Sequence, residues 1–376
     1  MPICRIMRTS LHLFAALAVA ICLSLAGCHP ENQKASINPA VESALDTLQT
    51  LVEECGIPVF QYAYFSPQGG LHGLVCAQDT VFDLPMPIGE GSIFQAASLS
   101  KPLFAYIVMK MVDRGEIDLD TPIAEYTDID RFDDKEMARR LTPRIVLSHQ
   151  TGLPNWAAGP SSDEWPTSRI TFKYPADSCF AYSGEGYAFL QRAVEAIQGE
   201  PLDAIARREV FEPFDMPTTS YAWLPAYDSL ALPGYNRDGE NRGQGRHPRA
   251  NCAYTLRTNA LEYANFVKRG LLEGEGLSEA AHKEMFTHQV HAQRYADEPR
   301  ACDSSVFWCL GFGAVDEDYY WHWGDNGNFK ALWLLHPSTK EGFVYFSNRA
   351  TGHDLLNPFL KKLTGEDLPL GDWIQN

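Results

Sequence analysis

Ser98 and Lys101 stand three positions apart in Gln95-Ala96-Ala97-Ser98-Leu99-Ser100-Lys101-Pro102. At the start of a helix that spacing puts a hydroxyl and an amine on one face, close enough to interact across a turn. A serine hydroxyl is a poor nucleophile until a neighbour takes its proton, and a lysine can do so when burial lowers its pKa. The N–H groups of a helix N-terminus add a place where an oxyanion could be held. The chemistry this suggests is acyl transfer. Taken alone, the same pair also fits a helix cap with a solvated lysine, so its surroundings must decide.

Two further points could join it. Tyr182, in Phe180-Ala181-Tyr182-Ser183-Gly184-Glu185-Gly186-Tyr187, precedes a serine suited to cap a helix, and could be either a proton-transfer group or a packed aromatic. His322, in Tyr319-Tyr320-Trp321-His322-Trp323-Gly324-Asp325-Asn326, falls in a strand pattern, where an edge-strand histidine is often structural. The tryptophans Trp308, Trp321, Trp323 and Trp333 read as core.

The elements that must position these residues follow from periodicity. Residues 103–112 are apolar on nearly all sides, which predicts a buried helix with Pro102 in its first turn and Gly115 after its end. Ser183 caps a helix whose apolar face runs through Tyr187, Leu190, Val194 and Ile197 to Gly199. Residues 37–54 have helical spacing, 59–65 and 71–77 read as a hairpin, and Thr142-Pro143 opens a short helix. Residues 329–335 and 343–347 form another strand pair.

Upstream, Arg5 and Arg8 precede an apolar run over 13–27 that is too short to span a bilayer and reads as an export signal. It ends in Leu25-Ala26-Gly27-Cys28, which resembles a bacterial lipoprotein cleavage box, making Cys28 the lipidated first residue. His29 follows, where an aspartate would have resembled the inner-membrane retention signal. The expectation is a periplasmic protein tethered by acyl chains, at the outer membrane. We divide the chain into a signal (1–27), a linker (28–40) and one domain (41–370), with a sheet part over 41–97 and 300–370 and a helical part over 98–299.

Loss of the signal removes two arginines and no acids, leaving 29 basic against 48 acidic residues and a net charge of −19. No Lys/Arg run offsets this, which disfavours nucleic-acid binding. Of nine cysteines, Cys4 and Cys22 leave with the signal and Cys28 is lipidated. The remaining Cys55, Cys76, Cys179, Cys252, Cys302 and Cys309 are disulfide candidates, with fifteen possible connectivities. Cys302 with Cys309, Cys55 with Cys76, and Cys179 with Cys252 is the pairing we favour. No spacing resembles a zinc site and no His-Glu-x-x-His occurs, so neither a metal nor another cofactor is expected. Oligomeric state has no signature here.

In this order and spacing the three points resemble the serine β-lactamase and penicillin-binding-protein superfamily, in the branch that holds class C β-lactamases, DD-peptidases and related esterases. Ser98-x-x-Lys101 matches its first motif, Tyr182 the tyrosine of Tyr-x-Asn, and His322-Trp323-Gly324 the His-x-Gly form of Lys-Thr-Gly. The stretches Leu147-Ser148-His149-Gln150-Thr151-Gly152-Leu153, Glu212-Pro213-Phe214-Asp215-Met216 and Pro233-Gly234-Tyr235 also look like this branch, so that residues 40–365 are covered.

The resemblance implies an α+β, β-lactamase/transpeptidase-like fold, an antiparallel sheet flanked by helices with an inserted helical subdomain. It implies attack by Ser98 on a carbonyl, proton transfer by Lys101 and Tyr182, an oxyanion hole of Ser98 and Asp325 N–H groups beside Gly324, and a positioning role for His322. Its substrates would be small esters, amides, β-lactams or D-Ala peptides. One departure stands out: Gly184 occupies the place of the motif's asparagine and cannot offer an amide. Together with His322 in place of a lysine, it predicts better turnover of simple esters than of β-lactams. The alternative is a penicillin-binding or sensor-type protein with little or no turnover.

Overall fold

The computed structural model describes residues 39–76, 88–293 and 301–375. The export signal, Cys28 and most of the linker lie outside the described residues; Pro39 and Ala40, read as linker, already belong to the first helix, Pro39–Asp46.

Ten strands are present among the described residues: β1 (Phe60–Ser66), β2 (Gly69–Val75), β3 (Phe94–Gln95), β4 (Arg257–Thr258), β5 (Val290–His291), β6 (Val306–Trp308), β7 (Gly313–Val315), β8 (Tyr319–Asp325), β9 (Lys330–His336) and β10 (Glu341–Ser347). Eight of them form one antiparallel sheet in the order β2-β1-β10-β9-β8-β7-β6-β5, while β3 and β4 pair separately. The fold is therefore α+β.

Period-two alternation decides which side chain goes to which face. Phe60 and Tyr64 of β1, Trp321 and Trp323 of β8, Leu332 and Leu334 of β9, and Phe343 and Tyr345 of β10 enter one core. That core is closed by the helices Pro39–Asp46, Leu48–Glu54, Leu356–Thr364 and Leu370–Gln375. Ala63 and Phe65, Tyr320, Ala331, Trp333 and Leu335, and Val344 and Phe346 enter the other, beneath the inserted helices. Because both faces are covered, these strands are apolar almost throughout; β9 and β10 carry no clean polar face.

The helix at the centre of the second core is Ser100–Asp113, buried at every residue from Ser100 to Met109 and again at Met111. All-round apolarity leaves no face for water, so the helix runs through the core. The helix Gly184–Gln198 packs nearby, with Ser183 Oγ accepting the Gly186 N–H at 3.1 Å and Gly199 closing it at φ 65°.

Two expectations are corrected here. Among the described residues no disulfide joins Cys55, Cys76, Cys179, Cys252, Cys302 or Cys309. The physical reason is clearest for Cys252 and Cys309, which are consumed as core residues: Cys252 Sγ lies 3.3 Å from Tyr187 O, and Cys309 Sγ lies 3.3 Å from Phe286 O. His322 also is not on an edge strand, since β8 runs between β9 and β7. Yet β7 pairs only with Tyr319–Trp321, which leaves β8 from His322 onward without a strand on that side.

Candidate active site

Ser98 lies in a single 3₁₀ turn, Ala97–Leu99, that leads directly into the helix Ser100–Asp113. Ala97 takes φ 50°, a left-handed conformation that costs a residue with a Cβ about 1–3 kcal/mol and recurs at functional sites. The turn is held down from three sides. Ser100 Oγ donates to Ala97 O at 2.6 Å and accepts the Leu256 N–H at 3.0 Å; Tyr221 OH donates to Ser100 O at 2.7 Å, and Tyr263 OH to Leu99 O at 2.8 Å.

Lys101 is 1% exposed, with Nζ 3.1 Å from Ser98 Oγ and 2.8 Å from Ala253 O. Burial pushes its pKa down to about 7, with Cys252 pulling the other way. The amine can therefore be neutral near physiological pH, which a proton acceptor requires.

Tyr182 places its ring 4.7 Å from Lys101 Nζ. Its ring centroid is 4.1 Å from that of His149, 4.8 Å from Trp323 and 6.3 Å from His322. His322 is fully buried, and its Nδ1–H donates to Trp323 O at 2.6 Å. Burial, then the nearby Lys101, keeps its pKa well below the usual histidine value. With its Nδ1–H spent on Trp323 O, the neutral ring has no further N–H to offer a substrate carboxylate.

His149, which no motif spacing singles out, also belongs to the site. It is buried, packs its ring against Tyr182, and accepts the Ser183 N–H on Nδ1 at 3.1 Å. Burial, Lys101 and His322, in that order, hold its pKa well below the usual value. Its sequence signal is its place in the family-like stretch 147–153.

Gly324 shows why β8 needs glycine beside the nucleophile: a Cβ there would lie 2.4 Å from Ala96 O. This close approach brings Asp325 up to the Ser98 turn. Asn326 N–H donates to Phe329 O at 3.2 Å, so in the antiparallel alternation Asp325, opposite Lys330, is a non-hydrogen-bonded pair. Its N–H points away from β9. The Asp325 carboxylate meets Lys330 Nζ at 2.5 Å. Lys330 is thus a buried partner of Asp325.

Gly184, at the first position of its helix, donates its N–H to Asn155 Oδ1 at 2.9 Å. The space above it is taken, because a Cβ on Gly184 would stand 2.3 Å from the Trp156 ring.

The cleft has two lobes, with Ser98, Asn155 and Asp325 lining both. The first, about 290 Å³, is polar and adds Gln95, Trp156, His247, Tyr254, Asn326 and Asn328. The second, about 460 Å³, is aromatic and adds Tyr174, Tyr182, Trp323 and Trp373. A hydroxyl beside a near-neutral amine, with a tyrosine against that amine and a main-chain N–H alongside, is equipped for nucleophilic acyl transfer.

A family model described as Beta-lactamase matches residues 74–364. The chain belongs to the beta-lactamase family. Penicillin-binding protein 4 of Amycolatopsis lactamdurans is 31% identical over 133 residues, which are 33% of this chain and 35% of that one; the chain thus spans about a third of this curated relative's length. Among solved structures, a D-stereospecific amidohydrolase from Streptomyces sp. superposes with a TM-score of 0.69 at 16% identity, covering 87% of this chain and 99% of its own. A class C beta-lactamase superposes at 0.71 and 14% identity, covering 87% and 96%. The fold is thus that of the β-lactamase and transpeptidase group.

Proposed function

We propose that the chain is a serine hydrolase that forms an acyl-enzyme at Ser98 and releases it to water, acting on esters, amides or D-Ala-type peptides small enough for the cleft. The observation that carries this reading is Lys101 Nζ at 3.1 Å from Ser98 Oγ, buried and with a pKa near 7. Ser98 Oγ attacks the carbonyl while its proton passes to Lys101 and Tyr182 acting together. The Ser98 and Asp325 N–H groups receive the oxyanion. Tyr182 lines only the second lobe, so the leaving group departs there with its proton, and the acyl part stays in the first. Water then attacks the ester on Ser98 and the same groups work in reverse.

Labelling with a fluorophosphonate and with a fluorescent penicillin, followed by turnover measurements, tests this. Wild type should label and turn over; Ser98→Ala should do neither while keeping its fold. Labelling that persists in Ser98→Ala would defeat the mechanism, and labelling without release would favour a penicillin-binding or sensor-type protein.

We also propose that Cys28 carries the lipid that holds the protein at the periplasmic face of the outer membrane, supported by the Leu25-Ala26-Gly27-Cys28 pattern. Palmitate incorporation that survives Cys28→Ser would rule this out.

A further inference from the structure

His353 sits in the turns between β10 and the helix Leu356–Thr364 and lines neither lobe of the cleft. It is buried, yet both ring nitrogens are engaged: Nε2 lies 3.1 Å from Gly324 O and Nδ1 lies 2.7 Å from Tyr345 OH. A carbonyl oxygen can only accept, so Nε2 carries the proton and donates to Gly324 O; Nδ1 is then an acceptor and takes the Tyr345 O–H. Burial, then the nearby Lys330, pushes the His353 pKa down to about 3, which keeps the ring in this neutral form at neutral pH.

Gly324 O and the Asp325 N–H belong to one peptide group, planar and trans, so the two point in opposite directions. Because Asp325 and Lys330 are a non-hydrogen-bonded pair, Gly324 and Ala331 are a hydrogen-bonded one, and Gly324 O also faces the Ala331 N–H. Both lone pairs of that oxygen are then used, one by the ladder and one by His353. The N–H on the far side meets no strand, since β7 pairs only as far as Trp321. A flat peptide held by its oxygen from two sides has its N–H aimed, and a donor on the oxygen strengthens that N–H as a donor in turn. Gly324 has no side chain of its own to pin the group.

We propose that His353 is a positioning residue for the oxyanion hole: through Gly324 O it sets the direction and strength of the Asp325 N–H, and Tyr345 holds His353 in turn. The proposal rests on the hydrolase reading above and extends its machinery to a residue that no substrate touches. Tyr345 O–H to His353 Nδ1, His353 Nε2–H to Gly324 O, and Asp325 N–H to the oxyanion form one chain, each donor polarised by the one behind it. His353 does for the β8 side of the hole what Ser100, Tyr221 and Tyr263 do for the Ser98 turn.

The test measures hydrolysis of p-nitrophenyl acetate and inhibition by phenylboronic acid, whose boron becomes tetrahedral on Ser98 Oγ and puts an oxygen in the hole. His353→Leu removes the donor and strands no polar group: Gly324 O keeps the Ala331 N–H, and the Tyr345 O–H can turn to Gly352 O at 3.1 Å. kcat should fall about ten- to a hundredfold, short of the about 10²–10³ for outright loss of an oxyanion donor, with KM changed by less than about twofold. The Ki of phenylboronic acid should rise in step with the fall in kcat. His353→Gln, whose amide again offers a donor and an acceptor, should recover most of both. Where His353→Leu does not fold, Tyr345→Phe decides, since it unpairs Nδ1 and should lower kcat and phenylboronate affinity about two- to fivefold, the scale of one neutral hydrogen bond. A loss in His353→Leu that His353→Gln does not recover, a fall in kcat without weaker phenylboronate binding, or unchanged values in His353→Leu or, in its place, Tyr345→Phe would overturn the proposal. A wild type that neither hydrolyses the ester nor binds phenylboronic acid would overturn the hydrolase reading first and this one with it.

Discussion

The two walls of the Ser98 cleft are built on different principles. One wall is the turn Ala97–Leu99, the helix behind it and the end of β8, where Lys101, His322 and Gly324 are buried and core packing and buried hydrogen bonds hold the turn. The other is the segment 153–157 with the loop 242–247, where Asn155 and Arg242 are exposed and Asn155 is held by hydrogen bonds to one helix end. The buried wall carries the proposed bond-making groups, and the exposed one touches what differs between substrates. Chemistry that fails with an ångström of error sits on rigid structure, while selectivity sits where side chains can change without collapse of a core. Substitutions in the first wall should therefore affect all substrates alike, and those in the second should separate them.

The largest effect is expected at Tyr182. Tyr182→Phe keeps the ring against His149 and Trp323 and removes only the hydroxyl, so turnover should fall by about 10²–10⁴ on every substrate, the scale of general acid–base catalysis. Near-wild-type kcat would make Tyr182 a packing residue.

Gly324→Ala should come next. Its Cβ meets Ala96 O, a main-chain atom with no rotamer to give way, so β8 must move away from the nucleophile turn and carry the Asp325 N–H with it. Loss of one oxyanion donor corresponds to about 10²–10³ in kcat. An unchanged kcat would show that the hole is not formed at Asp325.

The pH dependence is a gentler probe of the same wall. Burial lowers the Lys101 pKa to about 7, so the neutral amine that accepts the Ser98 proton predominates above that value. kcat/KM should fall about tenfold per unit as the pH drops below 7, and be level above it. The linked stability has the same sign: between about 7 and the ordinary lysine value the unfolded chain binds the extra proton, so stability rises with pH across that window. An activity profile flat down to pH 5 would remove Lys101 as the base. His149 and His322, both held low by burial, should not add a limb near neutrality.

The buried wall was legible in the sequence for physical reasons. A helix apolar on all sides has one place to go, period-two strands must split between two cores, and the pair Ser98 and Lys101 is local, so its geometry follows from the helix. The meetings between distant segments were not. Asn155 meets Gly184 across 29 residues, His149 reaches Tyr182 across a loop, and Lys330 pairs with Asp325 across a hairpin. No periodicity encodes such meetings. The cysteines misled because parity and short spacing say nothing of whether a thiol is wanted in a core, as Cys252 is.

The smallest effect tests whether the exposed wall is a matter of local fit. Gly184→Asn, the change that sequence alone suggests for restoring an amide, should fail on its own, because the new Cβ would lie 2.3 Å from the Trp156 ring. The ring stands edge-on to Trp165 and Tyr254, with centroids 5.9 and 5.4 Å away, so it has little freedom to retreat. Overpacking of this kind costs about 1–3 kcal/mol, which should appear as a lower Tm and a several-fold loss of turnover on p-nitrophenyl acetate. Trp156→Ala removes the obstacle and should by itself cost little on p-nitrophenyl acetate, since the ring is only partly buried. Combining the two should recover what Gly184→Asn loses, with a favourable coupling of about 1 kcal/mol or more in a double-mutant cycle on Tm and kcat/KM. Additive losses would mean that Trp156 is not what excludes a side chain from position 184. In that case the glycine would have to be explained by the helix start itself, where its N–H meets Asn155.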